Sequence, residues 1–411
     1  MNPNSHWHAT LDRPLLPVTD LPPTAPVIVV GAGVHGAATA YWLARAGLAP
    51  LVLDRTGPAA GASGHNGGIC ATGTAEDYPG AIARLGHNAA RAIWALSIEG
   101  WALLQRIVEE EAINCDLRIG GNLKLALGTE QFAGFQRSAA ALAADGFQHE
   151  IIDRAAAEEF MGMPLGPEVV GGKFSPQAAT LHSGRLVHGL LAAAIRHGAR
   201  LGWGTTVTAI NADERGVQLV TERGPVSAGS VVVTVNAWSA GLLPFLNGIV
   251  TPVRGQALAT VPVPAAMPCG FGVAVTPTGE YGQQTMDGAI VFGGCRATAP
   301  GRDVGLLNTD TSPEVQAALD GAITRIFPSL AGVPIAQRWG GPMAFTADYT
   351  PVAGAAPTMP GVWFSGGFSG HGMPFAPIFG QLLSEAIVTG TPPAALAPFR
   401  LDRPSARNTD A

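Results

Sequence analysis

The sequence predicts an α/β domain interleaved with a second, α+β domain that is built on a mostly antiparallel sheet. The chain has 411 residues, 47% of them hydrophobic and 13% charged, and exceeds the size at which a single hydrophobic core stops growing. A strand, a glycine-rich turn, a helix and a second strand follow one another from residue 26 to residue 54. Strand-like runs then recur in two later stretches. These observations predict an N-terminal extension (1–25), a first domain made of 26–114, 158–250 and 335–411, and a second domain made of 115–157 and 251–334.

Composition and charge exclude several classes of protein. The net charge is −6 and no run of basic residues occurs, so we expect no nucleic-acid partner. The four cysteines show no metal-binding spacing, which favours reduced thiols and a cytoplasmic location. The N-terminus lacks the pattern of a secretory signal. The apolar run Val27–Leu53 contains glycines and Arg45, which argues against a membrane span.

The first element is a βαβ unit of the kind that binds dinucleotides. The apolar run Pro26–Val30 predicts a buried parallel strand, and GAGVHG follows it directly. Gly31 allows a tight turn, Gly33 lets the backbone approach a pyrophosphate, and Gly36 lets the helix pack closely on the strand. Val34 and His35 lie between these glycines, at the start of the helix.

A second strand of this unit ends at Asp54. Its carboxylate can accept hydrogen bonds from ribose hydroxyls and disfavours the 2′-phosphate of NADP, although Arg55 beside it leaves that exclusion incomplete. NAD and FAD remain as candidates. NAD would leave the glycine-rich segments at 61–73 and 366–372 unexplained, which favours FAD.

Seven segments occur in the same order as in a known superfamily: SHWHAT, GAGVHG, GASGHNGG, VVVTVNAWSAGLLP, PVRGQ, IVFGGCR and GFSGHG. On these motifs the chain resembles the FAD-dependent amine oxidoreductases of the D-amino-acid oxidase, glycine oxidase and sarcosine oxidase superfamily. GASGHNGG is most similar to the gamma-glutamylputrescine oxidase branch. The resemblance implies an FAD-binding, Rossmann-like domain of the glutathione-reductase type, with a second domain that covers the flavin and binds substrate.

The resemblance also implies further FAD contacts. In the loop after Asp54, Ser63, Asn66 and Gly67 would lie along the pyrophosphate and flavin, and Val207 would bring its backbone to the adenine. The amides of the final glycine-rich turn, with the adjacent helix N-terminus, could face the part of the flavin where negative charge collects on reduction. The remaining expected contacts are Ala62, His65, Gly68, Gly367, Phe368, Gly370, His371, Gly372 and Met373.

Two histidines have alternative interpretations. His65 is either a loop residue packed against the flavin or, by similarity to a dimethylglycine dehydrogenase pattern, the residue that binds the flavin covalently. We expect non-covalent FAD, with the link through His65 as the alternative. His371 either supplies positive charge near the flavin or bonds its own backbone within a tight turn. Attachment through cysteine is not expected, because GGPMAFTAD (340–348) contains none.

The candidates for substrate binding lie in the second domain and at its boundary. Arg296 beside the two glycines of VFGGCR could hold a substrate carboxylate through two parallel hydrogen bonds, or could be a surface residue at a strand end. Tyr281, Gln283, Met343 and Phe345 are the other candidates; the aromatic residues could equally be core residues. Tyr281, Arg296, His65 and His371 are the only catalytic candidates, and none is assigned firmly. No metal site is expected.

The expected reaction is oxidation of the CH–NH bond of an amine or amino acid by hydride transfer to flavin N5, followed by hydrolysis of the imine. Oxygen would reoxidise the flavin and release hydrogen peroxide. Related oxidases use a lysine to activate oxygen, yet neither Lys124 nor Lys173 falls in a matching segment. A dehydrogenase that passes electrons to a quinone or another acceptor is therefore an alternative, and a non-catalytic flavin-binding subunit is a third. The motifs do not specify the amine.

Overall fold

The computed structural model describes residues 5–273 and 279–407. Two mixed sheets of eight strands each lie side by side in it, together with a two-stranded ribbon. The ribbon consists of β3 (Ile69–Ala71) and β7 (Ala178–Thr180).

The first sheet forms around a central strand that is buried on both faces. Its parallel core has the order β18–β11–β1–β2–β8, with β17 antiparallel at one edge and an antiparallel hairpin of β9 and β10 beside β11. Buried parallel strands read as continuous apolar runs, as VIVV and VVVTV do here. The strands are β1 (Thr24–Val30), β2 (Leu51–Asp54), β8 (Arg200–Trp203), β9 (Val207–Asp213), β10 (Gly216–Thr221), β11 (Val226–Val233), β17 (Val352–Ala355) and β18 (Val362–Gly366).

The second sheet has the order β16–β12–β15–β14–β13–β4–β6–β5. Only the β4–β13 pair is parallel, so the sheet described here is mostly antiparallel, as expected. Its strands are β4 (Asn122–Leu127), β5 (Glu150–Asp153), β6 (Val169–Ser175), β12 (Thr251–Thr260), β13 (Gly270–Gly272), β14 (Tyr281–Gln284), β15 (Ile290–Gly293) and β16 (Ile335–Phe345).

Helices cover one face of the first sheet and pack on the second. α2 packs against α7 and α10, and α10 also packs against α4, whereas α5, α6 and α9 contact strands of the second sheet. Gly380 in α10 lets this helix approach the backbone of α2, because a Cβ at that position would lie 2.8 Å from the carbonyl carbon of Ala38. The helices are α1 (His6–Ala9), α2 (Val34–Arg45), α3 (Tyr78–Leu85), α4 (His87–Glu110), α5 (Thr129–Ala144), α6 (Arg154–Met161), α7 (Ser183–Arg196), α8 (Ser239–Leu242), α9 (Pro313–Ile326) and α10 (Phe375–Thr389).

The structure corrects two of the expected domain boundaries. Residues 158–250 and 335–411 were assigned wholly to the first domain, yet β6 and β16 pair within the second sheet. The physical reason is that an apolar strand run shows that a strand forms but not which sheet it joins. Gly86, with φ of 84°, separates α3 from α4. In the N-terminal extension, α1 is packed into the molecule and Trp7 is buried.

Candidate active site

A cavity of about 910 Å³ lies between the two sheets and is lined by residues from both. Its walls come from the turn after β1, the loop after β2, the turn before α10 and five strands of the second sheet. The volume lies near the upper end of the range for ligand pockets. The structure thus brings most of the expected residues together at this cavity: Gly31, Gly33, Val34, His35, Asp54, Arg55, Ala62, Ser63, His65, Asn66, Gly67, Val207, Tyr281, Met343, Phe345, Phe368, Gly370, His371, Gly372 and Met373.

The turn between β1 and α2 has the geometry that its glycines predicted. Gly31 has φ of 109°, which a residue with a side chain rarely adopts. A Cβ on Gly36 would lie 1.9 Å from the carbonyl oxygen of Gly31, so Gly36 permits the close packing of turn and helix rather than lining the cavity. The positive end of the α2 dipole therefore faces the cavity, as an anionic pyrophosphate requires.

Asp54 organises the loop that follows β2. Its Oδ2 accepts a hydrogen bond from the Ala32 amide at 2.9 Å, and its Oδ1 accepts from the amides of Thr56 and Gly57 at 2.8 Å each. The carboxylate thus ties this loop to the glycine-rich turn. Beside it, the Arg55 guanidinium lies 4.6 Å from the ring centre of Trp238.

The GASGHNGG loop bends back over the start of α2. The Ser63 hydroxyl oxygen accepts from the Val34 amide at 2.9 Å, so the loop satisfies one of the free amides of the helix N-terminus. His65 donates from Nδ1 to the Gly61 carbonyl oxygen at 2.8 Å. Burial lowers the pKa of His65 to about 4, so this ring is neutral at pH 7.

Three further side chains donate hydrogen bonds to backbone carbonyl oxygens of the same loop. The Trp7 indole in α1 donates to the Asn66 carbonyl oxygen at 2.6 Å, and the Trp339 indole donates to that of His65 at 3.0 Å. Gln283 donates through its amide group to the carbonyl oxygens of Gly67 and Gly68 at 3.0 and 2.7 Å. Gln283 is therefore a support of the loop, and Gly68 faces this support rather than the cavity.

The final glycine-rich turn packs against the start of α2. The His35 ring stacks on Phe368 with centroids 3.7 Å apart and donates from Nε2 to the Gly372 carbonyl oxygen at 2.9 Å. Gly367 lies just outside the cavity lining, where its amide donates to Asn236 Oδ1 at 3.1 Å. Burial, followed by the charge of Lys124, lowers the pKa of His371 to about 4. The interpretation of His371 as a source of positive charge is thus unfavourable at pH 7.

The second sheet supplies the other side of the cavity. Gly67 and Gly293 both leave room for the Tyr281 ring, because a Cβ on either glycine would lie within 2.8 Å of ring atoms. Burial raises the pKa of Tyr281 to about 12, so its phenol stays protonated at neutral pH. Met343 and Phe345 on β16 add apolar surface.

Arg296 does not occur among the described residues that line the cavity. Its side chain is 8% exposed, its Nη1 donates to the Arg302 carbonyl oxygen at 3.1 Å, and its guanidinium lies 5.2 Å from the centre of the Phe345 ring. The guanidinium is therefore packed against Phe345, a residue that lines the cavity, and the expected role of Arg296 as a clamp for the substrate carboxylate stays a prediction.

Sequence reasoning missed Lys124, which lines the cavity from β4. The alternation in NLKLAL places Lys124 on the face opposite Leu123 and Leu125. That pattern was a usable signal for a strand, but it could not show that the polar face borders a cavity. Asn122, Thr234, Asn236 and Asp310 also line the cavity.

The described residues contain no cluster of His, Cys, Asp or Glu that could hold a metal ion. All four cysteines are buried and free. No helix in the described parts of the chain is long and apolar enough to cross a membrane.

The residues present fit an extended dinucleotide cofactor. The cavity joins a helix N-terminus, which suits a pyrophosphate, to a long glycine-lined wall where side chains would occupy the space. A Cβ on Gly33 would lie 3.0 Å from Ser63 Oγ, so the backbone there is accessible only because the residue is glycine. The buried Nδ1 of His371 has no hydrogen-bond partner among the described residues.

Comparison with known proteins identifies the family. The model of the DAO family, described as FAD dependent oxidoreductase, matches residues 26–386. The gamma-glutamylputrescine oxidoreductase of Escherichia coli is 28% identical over 393 residues, covering 89% of this chain and 84% of that protein. The D-amino acid dehydrogenase of Rhizobium johnstonii is 28% identical over 413 residues, covering 89% and 96%.

The crystal structure of glycine oxidase from Geobacillus kaustophilus has the same fold. It superposes with a TM-score of 0.80 at 22% identity, covering 93% of this chain and 99% of that one. The resemblance drawn from the seven ordered motifs is thereby confirmed at the level of the superfamily, as are the expected fold class and the FAD dependence. The chain belongs to the DAO family of FAD-dependent oxidoreductases and is an enzyme of the type that oxidises amines or amino acids.

Proposed function

We propose that this protein oxidises the CH–NH bond of a small amine or amino acid to an imine, which water hydrolyses to a carbonyl compound and an amine. The observation that carries the proposal is the single cavity in which the glycine-rich turns of the first sheet meet the second sheet. When bound, FAD supplies the acceptor for the hydride of the substrate.

The proposed FAD contacts follow the walls of the first sheet. Gly31, Gly33 and the N-terminus of α2 hold the pyrophosphate, and Asp54 and Val207 lie toward the ribose and adenine. Ser63, His65 and Asn66 come from the loop that α1 supports. The amides of the turn before α10, with its residues Phe368–Met373, lie toward the flavin. All of these residues line the cavity, and this supports the assignment.

The proposed role of the second sheet is to align the substrate and exclude water. Tyr281, Met343 and Phe345 provide an aromatic and apolar wall, against which an amine binds in its neutral form. The pKa of Tyr281 is raised to about 12 and that of His371 is lowered to about 4, both by burial. Neither group exchanges a proton readily near pH 7, which supports a mechanism based on alignment rather than on a dedicated acid or base.

We propose oxygen as the electron acceptor, with release of hydrogen peroxide. The argument for a dehydrogenase was that no lysine lies near the site, and this argument is weakened because Lys124 lines the cavity. Both an oxidase and a dehydrogenase occur among the similar proteins above. Reoxidation by a quinone or dye, with slow turnover in oxygen, is the outcome that would replace this part of the proposal.

We propose that FAD is bound without a covalent link. His65 lines the cavity and uses Nδ1 to bond the Gly61 carbonyl, which leaves Nε2 as the atom available for attachment to a flavin. Precipitation of the holoenzyme with acid separates the two forms. Yellow colour in the supernatant supports the non-covalent form, whereas colour that stays with the pellet establishes the covalent alternative.

The test of the proposed function is anaerobic titration of the purified holoenzyme with a panel of amines and amino acids. Bleaching of the flavin absorption by at least one compound is expected, followed by recovery of the absorption and peroxide formation when air is admitted. A protein that binds FAD but is reduced by no member of the panel would contradict the proposal and favour a non-catalytic subunit.

A further inference from the structure

We propose that Lys124 and Asn122 form the recognition site for a carboxylate and an adjacent amine, so that the substrate is an amino acid or an N-substituted amino acid rather than a simple amine. This inference rests on the proposed function and names the substrate class of the same cavity. It assigns to β4 a role that the sequence did not indicate.

The register of the sheet places Lys124 beside the substrate wall. Lys124 pairs with Gly272 on β13, and Gly272 pairs with Tyr281 on β14, so the three residues form one row across three strands. Residues paired in this way share a face of the sheet. A Cβ on Gly272 would lie 3.6 Å from Lys124 Cγ. The Lys124 side chain therefore packs beside Gly272, on the face of the sheet that it shares with Tyr281.

Lys124 has no hydrogen bond or ion pair with any residue in the described part of the chain. Burial lowers the pKa of its ammonium group, and the Asp77 carboxylate opposes this effect. Asp77 itself caps α3, since its Oδ1 accepts from the Gly80 amide at 3.0 Å. Lys124 is half-buried, and a partly buried ammonium group without a direct partner is less favourable than a paired one. An anionic ligand would provide that partner.

Lys173, the neighbouring lysine, differs from Lys124 because it has a hydrogen-bond partner. Lys173 pairs with Lys124 across the β4–β6 ladder, and like charges placed opposite each other are unfavourable. Lys173 donates to the Ser138 hydroxyl at 2.9 Å and does not occur among the described cavity residues. Burial and the charge of Lys124 lower the pKa of Lys173 to about 7. Of the two lysines, the one without a hydrogen bond is therefore the one that faces the cavity.

Charge within the cavity also favours an anion at this place. Arg55 and Lys124 are the only Lys or Arg residues among the described cavity residues, and Arg55 lies at the Asp54 end. Glu280, next to Tyr281, and Asp310 contribute negative charge to the cavity lining. A carboxylate that enters along the second sheet therefore finds its complementary charge at Lys124.

Asn122 supplies the second half of the site. It precedes Lys124 by two residues, so the two side chains share a face with Cα atoms about 7 Å apart. Asn122 lines the cavity and is 4% exposed, and its Oδ1 has no hydrogen-bond partner among the described residues. A buried acceptor of this kind requires a donor. The N–H of a substrate amine, held next to a carboxylate bound by Lys124, provides that donor.

The first experiment measures binding without turnover. Sodium butyrate and neutral butyramide are titrated into the holoenzyme by calorimetry, with sodium chloride as a control for ionic strength. Butyrate is expected to bind and butyramide to bind far more weakly. Lys124→Met should weaken butyrate binding by about 30-fold or more, because it removes one partner of a buried charge pair.

Lys173→Met is the matched control, since it removes a lysine from the adjacent strand but not from the cavity. Butyrate affinity within threefold of the wild-type value is expected for this variant. Equal losses in both variants, or no loss in Lys124→Met, would overturn the inference. Lys124→Arg, which keeps the charge, should retain more affinity than Lys124→Met. If Lys124→Met fails to bind FAD, Lys124→Gln replaces it in the same comparison.

The second experiment compares flavin reduction by amino acids and by the corresponding amino acid amides. The wild-type holoenzyme should be reduced at lower concentrations by the acid of each pair, and Lys124→Met should lose that preference while the limiting rate changes less. If amines reduce the flavin but carboxylates give no advantage, the proposed function stands and the inference fails. If no amine reduces it, the function fails, and butyrate binding still tests Lys124 independently.

Discussion

At the scale of single residues, Asp54 shows how one carboxylate links two loops of the proposed cofactor site. Its two oxygens accept three backbone amides, and an asparagine in its place offers only one acceptor atom. Asp54→Asn is expected to weaken FAD binding by at least about tenfold, because hydrogen bonds to a charged acceptor are among the stronger ones. Fluorescence titration of the apoprotein with FAD measures this loss.

Asp20→Asn serves as the control for that measurement, since Asp20 is exposed and lies outside the cavity. Unchanged FAD affinity is expected for the control. An Asp54→Asn variant that binds FAD as tightly as Asp20→Asn would show that the carboxylate is dispensable for the cofactor site.

The limits of sequence reasoning also appear at this scale. The roles of Gly31 and Gly36 could be predicted because the spacing of the glycines in GAGVHG is typical of this turn, in which a Cβ on Gly36 would meet the carbonyl oxygen of Gly31. The role of Lys124 could not, because its surroundings are created by strand pairing with residues far away in sequence. The packing of Arg296 against Phe345 could likewise not be predicted, because Phe345 lies on a strand about 50 residues later in the chain.

At the scale of secondary-structure elements, the short helix α1 acts as a support for the cofactor loop. Trp7→Phe keeps an aromatic ring in the core but removes the indole donor to the Asn66 carbonyl. The loss of one such hydrogen bond is worth about 1 kcal/mol, so FAD affinity should fall by roughly three- to tenfold. The FAD dissociation constant is the quantity to measure.

Trp42→Phe is a matched control, because the buried indole Nε1 of Trp42 has no partner among the described residues. This variant should keep its FAD affinity. If Trp7→Phe and Trp42→Phe have the same FAD dissociation constant, the hydrogen bond between α1 and the loop does not contribute to cofactor binding.

A buried ion pair fixes a long connection to β12. Arg254 Nε donates to Asp303 Oδ2 at 2.9 Å, and both side chains are less than 10% exposed. Arg254→Met would leave the carboxylate buried without its cation, and we expect a loss of about 3–5 kcal/mol in the free energy of unfolding. Urea denaturation of the variant and the wild-type protein measures this loss of unfolding free energy. Arg400→Met, which removes an exposed ion pair with Asp402, should cause no measurable change.

Strands were easier to predict than their sheet membership. The apolar runs of β1 and β18 appear in the sequence almost where the structure has them, because buried parallel strands have a distinctive composition. β6 and β16 were assigned to the wrong sheet, since pairing depends on which edge is free when the chain folds. No local sequence pattern indicates which sheet a strand will join.

At the scale of the whole molecule, buried histidines predict sensitivity to acid. Burial lowers the pKa of five of them well below 6.5: His35 and His149 to about 3, and His65, His182 and His371 to about 4. Between pH 6.5 and pH 4 the unfolded chain therefore binds more protons than the folded protein does. Stability must fall as the pH falls through this range.

The expected result is a decrease in Tm on the order of 5 °C or more between pH 7 and pH 5. Differential scanning calorimetry of the holoenzyme at constant ionic strength measures it. A Tm that is constant or higher at pH 5 would show that these histidines do not stay neutral in the folded protein. His182→Gln should reduce the pH dependence, because His182 is one of the five buried groups.

The order of strands in the first sheet has a consequence for the synthesis of the protein. β1 precedes the other strands of this sheet in the chain, yet its neighbour β11 comes about 200 residues later, and β11 in turn pairs with β18, which begins at Val362. The newly made N-terminal third thus holds a strongly apolar strand with an open edge, a state prone to aggregation. The turn at 368–373, which we propose as a wall of the FAD site, follows β18 in the chain, so the proposed site cannot form until most of this sheet has been made.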